Sequence, residues 1–226
     1  MAGLSTSTWG DPAATKHVLL IHGIMGSSRS WHRIAQEFAS RGKFHNQATA
    51  EHASDTFLPD AGYFVTAPDL LGHGCARRSS DYTIAALEEE LRPLFTTGCI
   101  HHFYDIVVGY SLGGVVAAAL LPLLKSTRPV RVVLVDPPLE QTPESTAFYR
   151  KLFGDMIRNP KTPEAYLKEY PLWTMEDAIF CSMDLHLCNT AVVEAIFDVG
   201  LFIPLVGLSS RDSSSKTTLG RFRTSC

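Results

Sequence analysis

Four short runs of Val, Ile and Leu constrain this chain more than any other feature. They are "HVLLIHG" (17–23), "YFVTAPDLLGHG" (63–74), "YDIVVGYS" (104–111) and "VRVVLVDPP" (130–138), each stopped by Gly or Pro. An unbroken β-branched run of this length reads as a strand covered on both faces. Between the runs lie segments with helical spacing. "SSRSWHRIAQEFASRG" places Trp31, Ile34, Ala35 and Phe38 at helical intervals behind candidate serine caps, and "DYTIAALEEELRPLF" sets Ile84, Leu87, Leu91 and Leu94 on one face. Strand and helix alternate from 17 to 138, which predicts an α/β fold with a parallel sheet and helices on both faces.

After Pro138 the rhythm changes. "ESTAFYRKLFGDMI", "TPEAYLKEY" and "TMEDAIFCSMDLHLCNTAVVEAIF" read as helices with no strand between them. The expected organisation is a core over 1–138, a helical cap over 139–199, and a remnant of a core strand with a polar tail over 200–226. An unusual loop insertion is expected at 43–62, because a structureless connection of that length is rare in a compact domain.

With 226 residues, 45% of them hydrophobic, the chain can bury one substantial core. The net charge of -3 comes from scattered groups, so no nucleic-acid face is expected. The five cysteines form no CxxC pair and read as reduced thiols, not as a disulfide framework or a metal site. No apolar run reaches the roughly 18 residues of a membrane span, and the N-terminus has no signal-peptide pattern. The expectation is a cytoplasmic protein with a small-molecule substrate and no nucleic-acid or membrane partner. Its oligomeric state is left open.

The chemistry is concentrated at Gly109-Tyr110-Ser111-Leu112-Gly113, a G-x-S-x-G sequence between a strand and an apolar helix. A serine on such a sharp turn is lifted clear of the sheet, and its neighbours must be small because backbone passes close by. The following N–H, that of Leu112, points to the same place, and the helix adds its positive end. A second donor is required from a facing loop. The turn His22-Gly23-Ile24-Met25-Gly26 after the first run can present one, that of Ile24. His22 reads as a group that ties down loop backbone, and His73 reads as structural.

The pieces "LLIHGIMGSSRSW", "VTAPDLLGHG", "VVGYSLGG" and "VVLVDPP", in this order, resemble the α/β-hydrolase fold superfamily. The resemblance is to its cap-bearing branch of esterases, epoxide hydrolases and cofactor-free haloperoxidases. It implies a parallel-sheet hydrolase core with a helical cap insertion. Ser111 would be the nucleophile, and Ile24 and Leu112 would form the oxyanion hole. It also implies no cofactor or metal and a serine hydrolase acting on an ester or thioester of a small apolar acid, for example as a secondary-metabolism tailoring enzyme. A nucleophilic Asp would mark epoxide hydrolases and dehalogenases, and Ser111 argues against both.

A serine hydroxyl needs a base, and the base needs an orienting carboxylate. Only His186, inside the expected cap, follows Ser111. It is the candidate base, with a polar position on a cap helix as its other reading. Asp136, at the end of the fourth run, and Asp212, in the tail, are alternative candidates for the acid. Asp136 also reads as a carboxylate capping the turn before Pro137-Pro138. The family histidine follows the last strand, so the sequence is expected to be C-terminally incomplete relative to the family pattern. The other functional class consistent with these residues is a non-catalytic ligand-binding protein on the same scaffold.

Overall fold

A computed structural model describes residues 4–44, 62–96, 103–124, 129–138 and 142–199, with side chains at 41–44 and 199 left aside. Among the described residues five strands form one sheet: β1 (Thr6–Trp9), β2 (His17–Ile21), β3 (Phe64–Pro68), β4 (Ile106–Tyr110) and β5 (Arg131–Val135). Their spatial order is β1-β3-β2-β4-β5. β2 pairs in parallel with β3 and with β4, and β4 with β5. The four strands expected from the β-branched runs are therefore present and parallel. β1 is an addition that the sequence reading missed, and it pairs antiparallel with β3. The sheet is mixed at this edge.

The strands explain the two layers of core. Val18 and Leu20 face one side with Val65, Ala67 and Val108, where Trp31 and Ala35 cover them. Leu19 and Ile21 face the other side with Val107, under Leu87, Leu91, Val115 and Val116. Four of the five β2 side chains, Val18 to Ile21, are fully buried. Each such side chain contributes about 1.5–3 kcal/mol by leaving water.

α1 (His32–Phe44) follows a short 3-10 turn, Ser28–Trp31. Ile34, expected inward, is instead exposed. The helix runs two residues into the expected 43–62 insertion, and residues 45–61 lie outside the described residues. α2 (Ile84–Leu91) ends where Pro93 enters a 3-10 turn. α3 (Leu112–Ala119) is shorter than its apolar run because Pro122 converts the next turn to 3-10.

The segment after β5 is helical, as expected: α4 (Pro143–Arg158), α5 (Pro163–Glu169), α6 (Met175–Leu187) and α7 (Thr190–Val199). Thr142, Thr162 and Thr174 cap the first three, each side chain accepting a backbone N–H. The long apolar stretch read as one helix is two, bent by 74° between α6 and α7. Val192 and Ile196 of α7 join the main core. Among the described residues no single helix is long and apolar enough to cross a membrane.

Candidate active site

The carboxyl ends of β2, β4 and β5 lie side by side, and the chain leaves each through a constrained residue. Met25, Ser111 and Asp136 are the only non-glycine residues with positive φ among those described, at 63°, 51° and 46°. Non-glycine residues in this region cost about 1–3 kcal/mol, and such strain collects at functional sites.

Ser111 is the turn between β4 and α3, with φ 51° and ψ −119°. Its N–H donates to the carbonyl of Val135 at 2.9 Å, and its carbonyl accepts the N–H of Gly114 at 2.9 Å. The side chain makes no capping bond to α3, so the hydroxyl is left for other partners. Leu112 is the first residue of α3, so its N–H has no acceptor within the helix. The glycines make the corner possible. A Cβ on Gly109 would stand 2.3 Å from the carbonyl oxygen of Gly113, and one on Gly113 would stand 2.2 Å from that of Ile21.

The turn after β2 faces this corner. A Cβ on Gly23 would lie 3.1 Å from Ser111 Cβ. The N–H of Gly26 donates back to Gly23 O at 3.1 Å, closing the turn around Ile24 and Met25. His22 fixes its base: Nδ1 donates to Gly23 O at 2.8 Å, and Nε2 accepts the N–H of Leu70 at 3.0 Å. Burial holds this ring below its ordinary range, so it is neutral and able to accept. His73 lies edge-on to it, with ring centroids 5.1 Å apart, and donates through Nδ1 to Leu71 O at 3.0 Å. Burial, with His22 beside it, pushes His73 down to about 3.

Asp69 organises the neighbouring loop. Its carboxylate accepts the N–H of Ser28 at 2.7 Å, the N–H of Cys75 at 2.9 Å and the hydroxyl of Ser5 at 2.8 Å. Burial alone would raise its pKa, but these donors outweigh it and hold the carboxyl below the usual range.

The structure thus brings Ser111, Leu112, Ile24 and Asp136 to one edge. His186 is exposed near the end of α6, with Nδ1 donating to Ser182 O of its own helix at 2.7 Å. Asp212 lies outside the described residues, as does 200–226 as a whole. Among the described residues no group of three or more His, Cys, Asp or Glu is placed to hold a metal ion. The sequence reading missed the strained Met25 and the grip of α6 on its turn. The strain has no local signal, and the grip joins residues more than 150 positions apart.

A family model described as the alpha/beta hydrolase family matches residues 18–207. Lipase LipV of Mycobacterium tuberculosis is 33% identical over 132 residues, which are 56% of this chain and 39% of that protein. An uncharacterized protein of the same organism, Rv2715, is 34% identical over 101 residues, 44% of this chain and 23% of the other. The chain thus spans well under half the length of these relatives. Among solved structures, the N-formylmaleamic acid deformylase Nfo of Pseudomonas putida superposes with a TM-score of 0.60 at 20% identity, covering 90% of this chain and 72% of that one.

Proposed function

The chain belongs to the alpha/beta hydrolase family, and we propose that it is a serine hydrolase that cleaves an ester or thioester of a small apolar acid through an acyl-enzyme on Ser111. The observation that carries this reading is the pairing of a strained, uncapped Ser111 with the turn at Gly23, across a gap no wider than van der Waals contact. In the proposed reaction Ser111 Oγ loses its proton to a base and attacks the carbonyl carbon. The N–H groups of Ile24 and Leu112 take the oxyanion, and the expelled alkoxide or thiolate receives the proton. Water then attacks the acyl ester and frees Ser111. Oriented donors of this kind are each worth about 10²–10³ in rate.

The orienting acid is assigned to Asp136 or Asp212, and Asp136 shares the sheet edge with Ser111. His186 is the candidate base. A role for the helical segment as a cap over an apolar pocket fits its Met, Phe and Leu side chains. Action on a small metabolite, including in secondary metabolism, belongs to the same proposal, as does work in the cytoplasm.

One observation favours the second reading, a non-catalytic ligand-binding protein on this scaffold. His186 is exposed and bonds its own helix, so the described residues supply no base bonded to Ser111. A fluorophosphonate probe separates the two readings. Covalent labelling that is lost in Ser111→Ala supports the hydrolase. A folded, unlabelled chain supports the binder.

A further inference from the structure

The turn that faces Ser111 is not held by the core alone. α6 also holds it, at two neighbouring residues, Asp184 and Leu185. Asp184 Oδ2 accepts the hydroxyl of Ser30 at 2.8 Å. The same Ser30 oxygen accepts the N–H of Ser27 at 3.1 Å. It lies against the turn, since a Cβ on Gly26 would stand 3.1 Å from it. Next to Asp184, Leu185 packs with Tyr166 and Ala178 in the cluster that takes the Met25 side chain.

This helix is a firm support. Near its N-terminus Asp177 pairs with Arg33 of α1 at 3.0 Å. At its C-terminus the carbonyl of Leu187 accepts Arg78 Nη2 at 2.6 Å. Asp184 is itself costly to place: it is 2% exposed, and its second oxygen, Oδ1, is buried with no hydrogen-bond partner. Burial raises its carboxyl above the ordinary range. An apolar residue would fill the same seam more cheaply, so the carboxyl has its rationale in what it holds.

We infer that Asp184 is a positioning residue, which through Ser30 fixes the Gly23–Ser30 turn so that the N–H of Ile24 stays aimed at the Ser111 corner. The inference rests on the serine hydrolase reading for its catalytic consequence, but not for its structural content. Asp184 stops the turn from rolling about the Ser27–Ser30 end, and the cluster around Leu185 holds the Met25 side chain. Displacing a catalytic group by about 1 Å costs on the order of 10²-fold, so partial loosening costs about tenfold.

The test uses the full chain and two readouts. Amide hydrogen exchange over residues 24–30 reports the turn whether or not Ser111 is reactive, and the rate of fluorophosphonate labelling reports the corner. Asp184→Ala and Ser30→Ala are expected to speed exchange there and to slow labelling about tenfold. Asp184→Asn and Ser30→Thr keep the bonding groups and are expected to restore both. Should Asp184→Ala fail to fold, Ser30→Ala carries the test by itself. Unchanged exchange of these amides in the folded Ala variants overturns the inference. Absence of labelling in the unmodified chain overturns the hydrolase reading instead, while exchange still decides the role of α6.

Discussion

The N–H of Ser111 donates to the carbonyl of Val135, so the strained corner between β4 and α3 is anchored on the neighbouring strand. The bond replaces the next rung of the ladder that pairs Tyr110 with Val135. It holds Ser111 at φ 51°, where a side chain is disfavoured. Ser111→Gly is therefore expected to be more stable than Ser111→Ala by about 1 kcal/mol, after allowing for the extra freedom of unfolded glycine. In a chain of this size that is roughly 2–4 °C in thermal midpoint. Equal midpoints by calorimetry would show that the corner stores no strain.

The approach of α3 to the sheet gives a sharper contrast. A methyl on Gly113 would meet backbone oxygens of Ile21 at 2.2 Å and His22 at 2.4 Å, and neither atom can move without moving β2. Gly113→Ala is expected to cost about 3 kcal/mol or more, in the range of overpacked cores. On α4, a methyl on Gly154 meets only the far end of Arg158, at 3.0 Å. Gly154→Ala is expected to be neutral or to stabilise by about 0.5–1 kcal/mol. Denaturant midpoints of the two variants, measured side by side, check both signs.

These contrasts show why part of the molecule could be read in advance. Strands β2, β3 and β4 are buried on both faces over most of their length, and β5, though half-buried at the edge of the described sheet, carries the same kind of run, so composition alone announces all four. The glycines at 109 and 113 announce a close approach because no other residue permits it. β1 gives no such signal: four residues, "TSTW", alternate between exposed and half-buried. Ile34 has the right helical interval but the wrong face, because Ala35 of α1 and Trp31 of the preceding 3-10 turn cover the sheet instead. The hold of Asp184 on Ser30 joins residues 154 positions apart, which no local pattern encodes.

The buried histidine pair predicts a pH dependence. His73 is held down to about 3 by burial and by His22, against 6.5 in an unfolded chain. Between those values the unfolded chain binds a proton that the folded one rejects. Stability therefore falls as pH drops from about 6.5 toward about 3, by at most about 1.4 kcal/mol per pH unit for one group. His22 is shifted in the same direction, by burial, and adds to the slope. His73→Gln is expected to flatten the dependence of the urea midpoint on pH across this window without removing it. An unchanged slope in the variant would assign the acid sensitivity elsewhere.

Asp69 acts with the opposite protonation preference and in a lower window. Its folded carboxyl lies below the unfolded value of 3.8 because three donors overcome the effect of burial. The stabilisation is complete above that value and is lost as pH falls through the depressed one. Asp69→Ala removes the acceptor and leaves the N–H groups of Ser28 and Cys75 without it, at about 1–3 kcal/mol for each buried donor. The loss should be full at pH 7 and shrink below about pH 4, where the native carboxylate is itself being protonated. Because Ser28 opens the turn that leads into α1, and Ser5 precedes β1, the same variant should also speed amide exchange at Ser28 and across β1. Thermal unfolding of both chains at pH 7 and pH 3 tests this, and a further point at pH 5 separates it from the histidine effect, because down to about pH 4 only the histidines change the proton balance and the Asp69→Ala penalty should hold constant. A penalty for Asp69→Ala that stays constant between the two pH values would mean that the loop is held by packing and not by the carboxylate.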